Sequence, residues 1–290
     1  MKEKIIFDCD NTMGILFKEV DDGLTILYLL GTSNMDLLGI TTTFGNGRIE
    51  QVFPQTQKLA EHLKISLPVL RGEGQERLGE PTAASRFLVE QVNRHPGEIT
   101  LLATGPLGNL HTAALEDPDF FKKTKQIVAM GGYLEPVKLG YRDLEELNFS
   151  AHPEASLSVL TAGCPVTVFP AQTCLEAPYR LRDIRRAAYW PGWMKRALFQ
   201  WLISFGLFTG EMVFYLWDLL PAVFLSNPEL FEVQSFDLGS TLKDLQSGML
   251  MQAQGETAQK VFLASKIKNH KAFFEELDRV WRQAAKHYPV

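Results

Sequence analysis

Up to Pro170 the chain alternates short apolar runs with stretches of helical spacing, and this alternation leaves few architectures open. Residues 4–7 (KIIF), 37–43 (LLGITTT), 68–70 (PVL), 99–103 (ITLLA), 126–130 (QIVAM) and 166–170 (VTVFP) read as strands. Residues 23–30, 51–63, 82–93, 107–115 and 153–161 between them read as helices. Strands that take turns with helices need crossover connections, so the expected fold is α/β, an open, mainly parallel (mixed) sheet with helices on both faces. From Leu175 onward the pattern turns helical, with aromatic-rich pieces and a polar amphipathic helix over 271–286. No linker or internal repeat interrupts it. One domain over residues 1–290 with a helical C-terminal elaboration is expected.

Composition excludes several classes. Of 290 residues, 46% are hydrophobic and 22% charged, a globular profile. Three cysteines, Cys9, Cys164 and Cys174, are too few and too scattered for a disulfide framework or a cysteine-based zinc site. A net charge of −5 gives no general footprint for nucleic acid. The start, Met1-Lys2-Glu3-Lys4, reaches Asp8 after only a few apolar residues, so no signal peptide is expected. Residues 197–225 are very apolar, but Gln200, Glu211, Asp218 and Pro221 interrupt them, and two buried or partner-facing helices suit them better than a membrane span. A cytoplasmic protein without nucleic-acid or membrane partners is the expectation.

Open α/β sheets bind ligands outside the carboxyl ends of their strands. Asp8-Cys9-Asp10 follows the first strand there, Thr43 and Asn46 the second, and Thr104-Gly105 and Met130-Gly131-Gly132 two later ones. Asp21-Asp22 open the next helix. Four carboxylates at one strand-to-helix crossing repel unless a cation lies among them, and oxygen ligands favour Mg²⁺ or Ca²⁺. The plain alternative is that Asp21 and Asp22 only cap their helix. The run Phe7-Asp8-Cys9-Asp10-Asn11-Thr12 also resembles the first motif of haloacid-dehalogenase-type phosphatases. That family's later Lys and Gly-Asp-x-x-x-Asp motif have no counterpart here.

A second resemblance covers nearly the whole chain. The apolar strand with Asp8-x-Asp10, the Asp21-Asp22 pair, LLGITTTFGN (37–46), ITLLATGPLGNL (99–110), IVAMGG (127–132), ELNFSAHPEA (146–155) and WDLLPAVFLSNPELF (217–231) follow one another as in the nucleoside hydrolases of the inosine–uridine-preferring type. The resemblance implies a Rossmann-like nucleoside hydrolase fold and cleavage of the N-glycosidic bond of a ribonucleoside. It implies Ca²⁺ held by Asp10, Asp22, Asp218 and the Thr104 carbonyl, with Asp10 as general base toward the attacking water. Asp21, Asn148 and Glu146 would bind the ribose hydroxyls with Asn46 nearby, Met130 would line the ribose pocket, and Asp8 would support Asp10 from behind. A homo-oligomer, dimer or tetramer, is also implied. The plain readings stand beside these: a loop for Glu146 and Asn148, a turn at Thr104, capping by Asp218, core packing for Met130 and Trp217.

Three departures from the family pattern bear on the chemistry. Ten residues, NTMGILFKEV, separate Asp10 from Asp21 where the family has about three; they form either a lid carrying Ile15, Leu16 and Phe17 over the base or an outward bulge. Trp217 stands where many members carry a histidine thought to protonate the leaving base, and a tryptophan can stack on the base but donate no acid proton. Residues 71–81 form a short loop where the family has a longer one. His152 takes the place of an aspartate and is expected to do no more than cap its helix. A phosphatase, or a weakly catalytic ribose-binding protein, are the rival functions.

Overall fold

The computed structural model describes residues 2–75, 78–253 and 259–288. Residues 76–77 of the short loop 71–81 lie outside that set. Strands β1 (Glu3–Cys9), β2 (Met35–Thr42), β3 (Val69–Arg71), β4 (Ile99–Ala103), β5 (Gln126–Met130) and β6 (Val166–Phe169) form where the apolar runs predict them. All six are parallel to their neighbours, and β4 is buried along its whole length, which is why its sequence shows no polar alternation.

The stretch expected to be wholly helical supplies two more strands of this sheet, β7 (Phe231–Leu238) and β8 (Gln259–Ile267). The sheet order is β3-β2-β1-β4-β5-β6-β8-β7, with β8 parallel to β6 and β7 antiparallel to β8. Only part of each of these strands faces the core, so polar residues break their apolar runs.

Side chains alternate across the sheet. Ile5 and Phe7 enter the core on one face and Ile6 the core on the other. The first face is covered by α1 (Asp21–Gly31), α2 (Ile49–His62) and others; the second by α3 (Ala83–Arg94), α4 (Gly108–Glu116) and α5 (Pro153–Leu160). The apolar stretch 197–225 is split between α6 (Gly192–Thr209), a short strand Val213–Tyr215 and α7 (Leu219–Ser226). Among the described residues no helix is long and apolar enough to cross a membrane. The last helix, α8 (His270–His287), lies on α1: Trp281 Nε1 donates to the Leu24 carbonyl at 3.0 Å. Pressed between sheet and α8, α1 is buried almost all round, as its nearly continuous apolar sequence requires.

From β1 the chain proceeds to β2 and β3 on one side, while β4 and β5 lie on the other. The crevice at this reversal, between the carboxyl ends of β1 and β4, is the place such a sheet offers a ligand.

Candidate active site

The acids expected at the crevice converge there. Asp8 pairs in register with Thr41 on β2 and Ala103 on β4, and its Oδ1 accepts from Thr41 Oγ1 and from Asn109 Nδ2. Two residues on, Asp10 Oδ2 accepts the Asn46 N–H. A Cβ on Gly45 would stand 1.9 Å from that oxygen, so only glycine lets the β2 loop come so near. Asp21 and Asp22 do not act as caps: the N-cap of α1 is Val20, without a side-chain cap bond. Asp21 Oδ2 takes the Asp218 N–H at 3.4 Å and Asp22 Oδ1 takes Thr104 Oγ1 at 2.7 Å. Asp218 sits at the N-cap of α7 but makes no cap bond either, so capping does not account for it.

Burial raises the affinity of all these acids for protons, and their mutual repulsion adds to it. Asp8 is pushed up to about 7 by burial despite its two donors. Burial raises Asp10 and Asp21 against the lowering pull of their hydrogen bonds, and Asp22 and Asp218 are held well above the usual carboxylate range by burial and then by the neighbouring acids. Two like charges 4 Å apart repel by about 4 kcal/mol at an effective dielectric near 20. Facing carboxylates of this kind persist only by sharing protons or a cation.

Beside them, Asn148 Nδ2 donates to the carbonyls of Thr104 and Met130 at 2.9 and 3.0 Å, while Asn148 lines the pocket. Glu146 does the loop work foreseen as its plain role. It accepts the N–H groups of Gly132, Asn148, Phe149 and Ser150 while still lining the pocket. Met130 is half-buried, its sulfur 3.1 Å from Asn148 Nδ2, and it packs against the core while also lining the pocket.

Above the acids opens a cavity of about 370 Å³, the size class of small-molecule sites. Asp21, Asp218, Asn46, Thr104 and Trp217 reach it. Trp217 leans on Tyr215 with ring centroids 5.4 Å apart. Trp201, Phe205 and Phe208 of α6 form an aromatic wall, a use of this helix that its sequence did not disclose.

The ten-residue insertion does two things at once. Its tip bulges outward, with Leu16 and Phe17 at least half exposed. Its return arm brings Glu19 into the cavity, a residue the sequence reading missed. Thr12 Oγ1 holds the Glu19 carbonyl at 3.0 Å, and Lys18 Nζ holds the Asn46 carbonyl at 2.7 Å. Burial and then Asp21 raise the Glu19 carboxyl strongly. Its only signal in the sequence is an acid two positions before Asp21.

His152 departs from expectation. It makes no cap bond; its Nε2 lies 3.2 Å from Oε1 of the buried Glu73, and its ring meets Phe44 edge-on at 5.2 Å.

The family model for the inosine-uridine preferring nucleoside hydrolase matches residues 5–275. The chain belongs to this family. Its relatives include uridine nucleosidase 1 of Arabidopsis thaliana, 32% identical over 195 residues, 57% of this chain and 55% of that protein. The pyrimidine-specific ribonucleoside hydrolase RihB of Escherichia coli (strain K12) is 28% identical over 58% of this chain and 59% of its own length. The aligned stretch thus spans little more than half of these relatives. Among solved structures, the purine-preferring ribonucleoside hydrolase from Gardnerella vaginalis superimposes with a TM-score of 0.84 at 19% identity, over 98% of this chain and 99% of that one. The plant nucleoside hydrolase PpNRh1 gives 0.83 at 22%, over 97% and 99%. At such identities these structures show that the chain has the nucleoside hydrolase fold. The match favours this family over the phosphatase alternative drawn from the Asp8-to-Thr12 run.

The donors suit a hard divalent cation. Asp10 Oδ1 and Asp21 Oδ1 are buried and take no hydrogen bond among the described residues, and every candidate ligand is an oxygen. Among the described residues, however, no three acidic, histidine or cysteine side chains surround one point at ligand distance. Asp10 and Asp22 share a side-chain hydrogen bond, so both belong to one oxygen-rich cluster.

Proposed function

We propose that this chain is an N-ribohydrolase that cleaves the bond between base and ribose of a ribonucleoside. The observation that carries the reading is the set of crowded, buried carboxylates at the β1/β4 crevice, directly beneath a cavity of nucleoside size. Breaking an N-glycosidic bond builds positive charge on the ribose ring, and surrounding carboxylates stabilise that charge.

In this reading Asp10, Asp22, Asp218 and the Thr104 carbonyl hold a divalent cation, Ca²⁺ by the family resemblance. Such an ion supplies orientation of the ribose diol and a more acidic attacking water. Asp10 takes the proton of that water. Asp21 and Asn148 accept from ribose hydroxyls, with Asn46 and Met130 against the sugar and Trp217 against the base. Asp8, held by Thr41 and Asn109, keeps Asp10 in place. Glu146 acts by shaping the loop that presents Asn148. The reading extends to a homo-oligomer in the cytoplasm built from one domain; buried, unpaired Cys9 and Cys174 accord with a reducing compartment.

The test is base release across a panel of purine and pyrimidine nucleosides, with Ca²⁺ and with chelator. Release that needs the cation and is lost in Asp10→Ala is the expected result. A protein stabilised by ribose but releasing no base from any nucleoside would overturn the reading.

A further inference from the structure

The walls of the cavity divide by chemistry. One part of its lining is Asp21, Asp218 and Asn148, which suit a sugar; another is the rings of Trp201, Phe205 and Phe208 from α6. Further acids line it, Glu19 and, on the exposed loop, Asp143 and Glu145. Among the described lining residues there is no lysine, arginine, histidine, tyrosine or cysteine. Nearby cations are engaged: Lys18 holds the Asn46 carbonyl, Lys138 Nζ lies 3.9 Å from Asp143 Oδ1, and the Arg142 guanidinium lies 4.8 Å from the Phe208 ring centre.

A neutral purine or pyrimidine leaves ribose as an anion unless its ring is protonated on departure. No basic or phenolic side chain lines the base end of this cavity to help. A base that already carries a positive charge needs no such help, because it departs neutral. It also meets two attractions here, aromatic faces and carboxylates of a single sign.

We propose that the cavity selects N-ribosides whose base bears a fixed positive charge on the ring joined to ribose, such as pyridinium ribosides. This rests on the hydrolase reading and narrows its substrate class. The C1′–N bond breaks with its electron pair passing to the ring nitrogen, which cancels the charge on the base. The water oxygen bonds to C1′, and the proton released goes through the Asp10 carboxylate to solvent. Cation and water thus give neutral base, ribose and one proton.

The test compares nicotinamide riboside and 7-methylguanosine, both cationic, with uridine and inosine as substrates of the whole chain in the presence of Ca²⁺. The expected kcat/KM is at least about tenfold higher for the cationic pair, the scale of a desolvated cation–aromatic contact. Cationic bases also leave more readily in water, so binding is measured separately. Reduced, uncharged dihydronicotinamide riboside has the same size and should inhibit at concentrations at least about tenfold above the KM of the cationic riboside. Uridine or inosine cleaved as well as the cationic pair, or equal binding of the uncharged analogue, would overturn the substrate class and leave the hydrolase reading intact. No base released from any of the four would overturn both.

Discussion

Asn109 Nδ2 lies 2.7 Å from Asp8 Oδ1 and 3.0 Å from the Thr42 carbonyl, while its Oδ1 accepts the Glu73 N–H at 2.9 Å. One amide side chain on α4 thereby ties the end of β1 to the end of β2 and to the loop after β3. Asn109→Ala strips Asp8 of a buried donor, a change that costs about 1–3 kcal/mol. Thermal unfolding should shift down accordingly and base release should fall with it. An unchanged melting temperature would show that Asp8 does not depend on this bond.

Asp10→Asn keeps an acceptor for the Asn46 N–H but removes one of the crowded charges. The variant should lose about 10²–10⁴-fold in kcat, the usual worth of a positioned base. Cation-free, it should melt higher than the parent chain, because one source of repulsion among Asp10, Asp22 and Asp21 is gone. A lower melting temperature with a competent fold would mean that the acids are not under mutual strain.

Cation-free protein should lose stability as pH rises. The folded Asp8 carboxyl is raised from 3.8 to about 7, and Asp22 and Asp218 are raised as well. The folded state therefore binds more protons than the unfolded one through this interval. For Asp8 the stabilisation is complete below about pH 4 and disappears toward pH 7, and Asp22 and Asp218 lose theirs in the same direction. Melting curves at stepped pH check the slope, and saturating Ca²⁺ should flatten it. A cation-free profile that instead rises between pH 4 and 7 would sink the prediction.

Glu146→Gln turns part of a carboxylate that receives N–H groups from Gly132, Asn148, Phe149 and Ser150 into a donor facing donors. The loop carrying Asn148 should loosen, raising KM more than it lowers kcat. Steady-state kinetics on the best substrate decide this; a fall confined to kcat would assign Glu146 a part in bond breaking.

Trp217→His places a titratable ring in a cavity that has none among its described lining residues. It should raise kcat on uridine or inosine by as much as about 10²-fold, the lower range for a positioned acid. The cationic ribosides should gain nothing. Equal gains on both would contradict the leaving-group argument.

The central parallel strands β4, β5 and β6 were legible because nearly all of their residues are buried and apolar. In β7, FEVQSFDL, polar residues punctuate the apolar ones along a sheet edge, and the neighbouring aromatic helices masked that rhythm. Asp8, Asp10, Asp21, Asp22 and Thr104 could be placed because strand ends dictate where they lie. Asn148, Glu146 and Asp218 came from resemblance alone, since nothing local fixes a loop or helix start against a distant strand. Glu19 and the wall of α6 were out of reach for the same reason: an insertion has no periodicity, and a helix rich in aromatics does not say which face meets a cavity.

The bond from Trp281 to Leu24 joins residues 257 apart and clasps the helix whose first turn bears Asp21 and Asp22. Until α8 is in place that helix lacks its outer cover, so the turn bearing the two acids is closed over only when residues far apart in the chain have come together.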